Sequence, residues 1–300
     1  MADTTAHHHK TRAVSAIVAS VFALSLGDAL IKATSLSLPL WQMYILRSAL
    51  TVPVLWALAR RSGRIRLHAP GWVLLRSLLL FVMWLSYYAA LPLMPLSLAA
   101  AAYYTGPLFI VALAAVLARR WPANRALLAI LCGFVGVILV IRPDTSGFQI
   151  GTLLPVAAAV LYACAMVLTS IKCRDDNPLV LALALNVVFI VGGAGLGLFA
   201  GAEASFILGT WQPLSLHRLA IVAALAVLIL IGSVGAAIAY QQGPPATVAV
   251  FDYGYLAFSV MWGALFLGEL PSAMALTGIA VIFAAGLLTL PPQGRPGSAE

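Results

Sequence analysis

Ten apolar stretches follow one another along this chain, and each is about as long as a membrane-spanning helix. A helix needs about 20 mostly apolar residues to cross the hydrocarbon core of a bilayer. The stretches are uniformly apolar rather than alternating, which favours helices over the strands of a barrel. The sequence therefore predicts an all-α integral membrane protein with ten transmembrane helices. Their bounds are roughly 13–32, 40–59, 71–91, 96–118, 124–141, 150–171, 178–200, 217–240, 246–267 and 272–290.

The second five stretches repeat the first five. Residues 90–143 align without a gap onto residues 239–292. An odd number of crossings turns the second copy over, so the two copies are related by a pseudo-two-fold axis in the membrane plane, as in many secondary transporters. We therefore predict a first five-helix repeat at residues 13–141, a second, inverted repeat at residues 150–290, and cytoplasmic tails at residues 1–12 and 291–300. Matched pairs include Pro95 with Pro244, Ala100 with Ala249, Tyr104 with Tyr253, Phe109 with Phe258 and Pro122 with Pro271.

The composition excludes a soluble globular domain. The chain is 63% hydrophobic and 9% charged, whereas soluble domains carry about 25% charged residues. The net charge of +8 does not predict a nucleic-acid partner, because the basic residues lie in short clusters between apolar stretches. Most of these clusters fall on one side of the membrane if the N-terminus is inside, so the positive-inside rule places both termini in the cytoplasm.

The closing hairpin identifies a family resemblance. Residues 264–286, which include Gly268-Glu269-Leu270-Pro271, resemble the last hairpin of EamA-type proteins of the drug/metabolite transporter superfamily. Residues 116–136 are similar to the same hairpin in the first copy, and Pro39 followed by Arg47 also matches the pattern. The resemblance implies a multi-pass transporter of the bacterial inner membrane. The aromatic-rich central stretches look most like YddG-type bacterial exporters of aromatic amino acids, although Arg120 replaces the hairpin glutamate in the first copy.

Aromatic and polar residues interrupt four of the stretches and are the candidates for a substrate path. Pro107 removes a backbone donor, so we expect its helix to kink there, and exposed backbone groups are tolerated where they line a cavity. Tyrosine rings with hydroxyls suit an aromatic substrate, but the same residues could also fill the helix core. The candidate substrate-binding residues are Trp84, Tyr88, Tyr103, Tyr104, Tyr240, Gln241, Tyr253 and Tyr255.

Charged residues inside the stretches are candidates for ion coupling or for contact with a substrate carboxylate. Asp28 and Lys32 are four residues apart, which favours an ion pair on one helix. Arg47 has three interpretations: a contact with a substrate carboxylate, hydrogen bonds to helix carbonyls, or a pair with Asp28. Asp252 is the most isolated acid, and a buried carboxylate there could carry a proton during transport.

These observations predict a secondary transporter that exports small amphiphilic metabolites, with aromatic or hydrophobic amino acids as the favoured class, by alternating access. A passive channel, or an exporter of another metabolite or drug on the same fold, is the alternative. An integral-membrane enzyme is disfavoured, because Asp175-Asp176 is one isolated acid pair and no histidine lies in the middle of a stretch. The sequence has no glycine-rich phosphate loop, so ATP hydrolysis by that route is excluded. We expect no cofactor and no metal, and as partners the small-molecule substrate and the lipid bilayer, with a monomer sufficient.

Overall fold

The computed structural model describes residues 2–34, 38–62, 67–117, 119, 124–141, 150–201, 205–243, 248, 251–252 and 254–288. Within these residues the regular secondary structure is helical, without strands. A short 3₁₀ turn, Ile150–Leu153, precedes the seventh α-helix. The α-helices are α1 (Ala2–Ala33), α2 (Leu40–Arg61), α3 (Pro70–Ala90), α4 (Leu96–Tyr103), α5 (Gly106–Leu117), α6 (Asn124–Ile141), α7 (Leu154–Lys172), α8 (Pro178–Gly197), α9 (Leu216–Gln242), α10 (Gly254–Leu267) and α11 (Ala273–Leu288).

The helices coincide with the ten apolar stretches. In the part of the chain that the structure describes, seven continuous segments are long and apolar enough to cross a membrane, and α6, α10 and α11 contribute shorter apolar segments. The outer face of α6 carries Leu128, Leu131, Val135 and Ile138, each more than half exposed, at helical spacing. Such a face suits lipid and would be an aggregation liability in water. The predicted all-α membrane architecture is confirmed.

The N-terminal boundary differs from the prediction. Residues 1–12 were expected to form a tail, but the backbone of α1 is helical from Ala2. No proline or glycine lies between Ala2 and the apolar part of the helix that starts near Arg12, so the helical conformation continues into the polar residues. The predicted tail at residues 291–300 lies outside the described residues.

Four helix pairs form the frame of the bundle. The most extensive packing joins α1 to α9, α3 to α7, α2 to α8 and α6 to α11. Glycines allow two of these pairs to approach closely. A Cβ atom added at Gly136 of α6 would lie 2.8 Å from the carbonyl oxygen of Gly278 on α11, and one added at Gly193 of α8 would lie 2.9 Å from the carbonyl oxygen of Trp41 on α2. Small residues at such contacts are typical of membrane helix pairs.

Polar contacts fasten the loops at the two ends of the bundle. At the end predicted to face outward, Gln42 of α2 exchanges two hydrogen bonds with the backbone of Gln212, and the Trp41 indole donates to the carbonyl of Gly209. At the opposite end, the backbone N–H of His68 donates to the buried carboxylate of Asp176. The cavity described next lies between these two fastened ends.

Candidate substrate cavity

A cavity lies at the centre of the helix bundle. Its wall is formed by α1, α3, α4, α7, α8, α9 and α10, together with Asp252 just before α10. The volume that the centre of a water molecule can reach is about 40 Å³, which is room for roughly three waters. The free space at this site is therefore small, and a metabolite could bind only after wall side chains move. The aromatic residues of the wall are Trp84, Tyr103, Tyr104, Tyr162 and Tyr255, and its charged residues are Arg76 and Asp252.

The interruption of the fourth apolar stretch positions two of these tyrosines. Helix α4 ends at Tyr103, and α5 begins at Gly106. The carbonyl of Thr105 accepts hydrogen bonds from the backbone N–H groups of Leu108 and Phe109, so it serves as the start of the second helix. Pro107 falls in the first turn of α5, where its missing N–H removes no helical hydrogen bond. The predicted break near Pro107 is confirmed, and it presents Tyr103 and Tyr104 to the cavity.

Asp252 accepts hydrogen bonds from three tyrosines, two on different helices and one in the break between α4 and α5. The hydroxyls of Tyr162 on α7 and Tyr240 on α9 donate to Oδ2, at 2.6 and 2.7 Å. The Tyr104 hydroxyl donates to Oδ1 at 3.4 Å. Asp252 is buried, so these donors replace water around its carboxylate. The cluster joins residues from both predicted repeats.

Asp28 is the centre of a second tyrosine cluster. The hydroxyls of Tyr88 and Tyr255 donate to its two carboxylate oxygens, Tyr88 at 2.9 Å. The Tyr87 hydroxyl lies 3.0 Å from the Tyr255 hydroxyl. Tyr255 therefore connects α10 to Asp28 of α1 and to Tyr87 of α3.

The predicted Asp28–Lys32 ion pair is wrong. Lys32 instead lies 2.7 Å from the carboxylate of Glu269 and donates to the carbonyl of Met94, also at 2.7 Å. Lys32 lies one helical turn nearer the end of α1, where its ammonium and Glu269 both remain partly exposed. Because a partly hydrated pair avoids the desolvation that an ion pair at Asp28 would require, the peripheral partner is favoured.

Rings connect the two acid clusters. The Tyr255 and Tyr104 rings are stacked, with centroids 4.8 Å apart. The Tyr103 ring lies 5.2 Å from that of Tyr87 and 5.5 Å from that of Tyr162. These separations are typical of favourable aromatic pairs. Four of the predicted aromatic candidates, Trp84, Tyr103, Tyr104 and Tyr255, are thus brought together in the cavity wall.

Arg47 lies beside the Asp28 cluster. It is buried and its guanidinium lies between the rings of Tyr44 and Phe189, with Cζ 4.9 and 4.7 Å from their centroids. A small cavity next to the central one is lined by Arg47, Asp28 and Tyr88. Among the described residues, no hydrogen-bond partner is present for Nε and Nη2 of Arg47. The cation is held by aromatic faces rather than by an ion pair.

Three sequence candidates fall elsewhere. Gln241 donates to the backbone carbonyls of Cys173 and Asp176, so it fastens the α7–α8 loop and lies outside the cavity wall. Tyr88 and Tyr240 lie behind the wall, where they bind the carboxylates of Asp28 and Asp252. Tyr253 lies outside the described residues. Within the described ranges, no three histidine, cysteine, aspartate or glutamate side chains are grouped so that they could hold a metal ion.

Sequence reasoning missed two residues of the cavity wall, Tyr162 and Arg76. Tyr162 is an isolated tyrosine in the alanine-rich helix α7, and its role appears once α7 is packed against α9 and Asp252. Arg76 lies just inside the third apolar stretch. The structure buries Arg76 and places it in the cavity wall. A charged residue within a spanning helix was the signal that could have identified it.

Comparisons with known proteins support a transporter. The sequence model of the EamA-like transporter family matches residues 11–142, which include the predicted first repeat. A solved crystal structure aligns with a TM-score of 0.68 over 93% of this chain and 97% of that chain, at 20% identity. That likeness concerns the fold alone.

Curated relatives are transporters of named metabolites. The riboflavin transporter of Rhizobium johnstonii is 29% identical over 236 residues, which is 77% of this chain and 73% of the relative. The pseudopaline exporter CntI of Pseudomonas aeruginosa is 26% identical over 280 residues, 92% of this chain and 94% of the relative. A riboflavin transporter of Brucella anthropi is 26% identical over 262 residues, 84% and 87% of the two chains. The family and these relatives are transporters rather than enzymes, and their names do not point to aromatic amino acids.

Proposed function

We propose that this chain is an EamA-type secondary transporter that exports a small amphiphilic metabolite across the bacterial inner membrane by alternating access. The observation that carries the proposal is the central cavity, which has an aromatic wall and two buried charged side chains. Pockets for small molecules combine such an apolar wall with a few placed polar groups. The cavity also lies between the two ends of the bundle, so opening of one end at a time would give alternating access.

The helix packing supports the proposed inverted repeat. If α1, α2, α3 and α6 correspond to α7, α8, α9 and α11, the two-fold operation exchanges the α1–α9 pair with the α7–α3 pair. The same operation maps the α2–α8 and α6–α11 pairs onto themselves. These four pairs are the most extensive in the bundle. A pseudo-two-fold axis through the cavity would place the substrate at the interface of the copies.

The aromatic wall favours a substrate with an aromatic or apolar body. We keep aromatic and hydrophobic amino acids as the first class to test, and riboflavin and pseudopaline follow because the relatives are named for them. Six residues form the proposed substrate contact: Trp84, Tyr103, Tyr104, Tyr162, Tyr255 and Arg76. Tyr88 and Tyr240 support it through the acids that they bind.

Asp28 and Asp252 are the proposed coupling residues. Both carboxylates are buried and accept hydrogen bonds from tyrosine hydroxyls, and Arg47 lies near Asp28 without forming an ion pair within 4 Å. Intramembrane acids are often sites of ion or proton coupling. Movement of Tyr255 or Tyr104 would remove a donor from one acid, which could link a change in charge to opening of the cavity.

Counterflow in proteoliposomes tests the proposed activity. Purified protein is reconstituted, the vesicles are loaded with one unlabelled compound, and uptake of the labelled compound is followed for amino acids, riboflavin and other metabolites. A transporter gives counterflow, and its rate changes with an imposed proton gradient if the acids couple protons. A passive channel would give flux without acceleration by internal substrate. Absence of flux for every compound would contradict the proposal.

Membrane orientation is tested separately. With Cys132, Cys164 and Cys173 replaced, Arg61→Cys and Thr210→Cys introduce exposed thiols in loops that correspond in the two copies. We expect an impermeant maleimide to label Thr210→Cys in intact cells and Arg61→Cys after permeabilisation. Labelling of both from the same side would remove the inverted repeat and the cytoplasmic termini from the proposal.

A further inference from the structure

Arg76 lies in the cavity wall and has a hydrogen-bond donor without an acceptor among the described residues. It lies on α3 and is 2% exposed. Its Nε donates to Thr169 Oγ1 on α7 at 2.7 Å, and the Thr169 hydroxyl donates to the carbonyl of Ala165. Its Nη1 is buried, and no partner for it is present among the described residues. The guanidinium is therefore held through Nε, whereas its Nη1 has no acceptor among the described residues.

The acid of the same cavity does not neutralise Arg76. Within the described part of the chain, the ion pairs are those of Lys32 with Glu269 and of His68 with Asp176. Asp252 also lines the cavity, but its oxygens accept three tyrosine hydroxyls. A buried guanidinium without a counter-charge is unfavourable in a membrane, so an anion from outside the protein would stabilise it.

We propose that Arg76 binds the carboxylate of the transported substrate. The inference rests on the proposed function, because it assumes that the central cavity is the substrate site. A guanidinium matches a carboxylate through paired N–H donors. No second lysine or arginine lines the described cavity, so one negative charge is matched rather than a phosphate dianion. Leu80, Met83 and Trp84 follow Arg76 along the same wall and would contact the apolar body. The substrate class is a monocarboxylate with an aromatic or aliphatic body, which includes amino acids.

Ligand pairs that differ in charge test this assignment. The probes are 3-phenylpropionate with 3-phenylpropionamide, and L-phenylalanine with L-phenylalaninamide, titrated against purified protein in nanodiscs by calorimetry. We expect wild-type protein to bind each carboxylate roughly tenfold or more tightly than its amide, as a charge-assisted hydrogen bond allows. Arg76→Gln should abolish this preference. Arg76→Lys should retain a smaller preference, because a point charge lacks the planar fork.

Arg61→Gln is the matched control, because Arg61 is exposed at the end of α2 and its loss removes the same charge away from the cavity. The control should keep the full preference. Wild-type protein that binds the amides as tightly as the carboxylates, or binds neither, would overturn the assignment, and so would a preference that survives in Arg76→Gln. If Arg76→Gln does not fold, the comparison between wild type and Arg76→Lys decides: equal preferences overturn the assignment.

Flux separates this inference from the proposed function. Counterflow of both amides and carboxylates at equal rates would leave transport intact and remove the role of Arg76. Carboxylate-selective binding without flux of any probe would retain the Arg76 subsite and remove transport.

Discussion

The ring of Tyr255 stacks on the ring of Tyr104, with centroids 4.8 Å apart and planes inclined by 25°. Each tyrosine also donates a hydrogen bond to a different buried acid: Tyr255 to Asp28 and Tyr104 to Asp252. The stack therefore connects the acid on α1 to the acid before α10, across the interface of the two predicted copies. A substrate that separated these two rings would disturb the hydrogen bonds to Asp28 and to Asp252 at the same time.

The Tyr104 ring is expected to matter more than its hydroxyl. Tyr104→Phe keeps the stack and loses a long hydrogen bond of 3.4 Å, so counterflow should stay within about threefold of wild type. Tyr104→Ala removes the stacked ring as well as buried apolar area, and counterflow should fall by roughly tenfold or more. Rates are compared at equal amounts of reconstituted protein. Similar rates for the Ala variant and wild type would remove Tyr104 from the substrate site.

Tyr162→Phe tests the Asp252 cluster. The substitution removes a 2.6 Å hydrogen bond to a buried carboxylate while preserving the ring. Hydrogen bonds to charged groups contribute about 1.5–3 kcal/mol, so counterflow should fall by roughly tenfold or more if transport requires the ordered acid. Tyr240→Phe removes the neighbouring 2.7 Å bond and should behave similarly.

The double variant, with Tyr162→Phe and Tyr240→Phe, tests whether the two hydroxyls act through the same acid. Tyr162 and Tyr240 donate to the same carboxylate oxygen, so their effects should not add when both are replaced. Additive losses of counterflow would indicate two independent roles. A change in protein yield without a change in specific rate would restrict the cluster to a structural role.

Sequence patterns predicted the membrane spans well, because a helix that crosses the bilayer must be mostly apolar along its length. They also predicted the break at α4, because Gly106-Pro107 lies within an apolar stretch. The partner of Lys32 could not be found in the same way. Asp28 is four residues away along the helix, whereas Glu269 is brought to Lys32 by the packing of α10 and the following turn. Local spacing favours the first pair, and tertiary structure places the second where both charges keep some water.

The same limit applies to the cavity. The clusters of aromatic residues in the fourth and ninth stretches were visible in the sequence, and they do reach the cavity. Tyr162 and Arg76 are isolated in otherwise apolar helices, so no local cluster marked them. Their role depends on the packing of α7 against α3, which the sequence of either helix does not specify.

The Lys32–Glu269 pair should contribute modestly to stability. Both side chains are partly exposed, and such pairs contribute up to about 1 kcal/mol. Lys32→Met should therefore lower the midpoint of thermal unfolding in detergent by only a few degrees. The loss should shrink at high salt if the attraction is electrostatic. An unchanged midpoint at low salt would mean that the pair adds nothing measurable.

Replacements of Glu269 separate charge from hydrogen bonding. The second carboxylate oxygen of Glu269 accepts the backbone N–H of Leu96 at 2.8 Å, at the start of α4. Glu269→Gln can keep that hydrogen bond and also the Lys32–Met94 hydrogen bond, so it should be at least as stable as Lys32→Met in thermal unfolding. Glu269→Ala loses both interactions and should be less stable by about a further 1 kcal/mol. Equal midpoints for the Gln and Ala variants would contradict a capping role.

The contact between α6 and α11 predicts a strong effect of one methyl group. A Cβ atom at Gly278 would lie 2.7 Å from the carbonyl oxygen of Gly136. Gly278→Ala should therefore force the helices apart and destabilise the protein by about 1–3 kcal/mol. Gly195→Ala is the control, because a Cβ atom there meets no atom within 4 Å. Unfolding midpoints in detergent check the difference, and equal stability of the two variants would show that the helices are not held at this distance.

The cap of α4 by Glu269 has a mechanical consequence. Glu269 belongs to the turn between α10 and α11, whereas Leu96 begins the short helix that ends in Tyr103. If that turn moves, either the N-terminus of α4 moves with it or the backbone N–H of Leu96 loses its acceptor. At its C-terminal end, α4 is separated from α5 by two residues, Tyr104 and Thr105. The short helix is thus held at one end by Glu269 and interrupted at the other by the tyrosines, so we expect a displacement of the turn to be transmitted to Tyr103 and Tyr104.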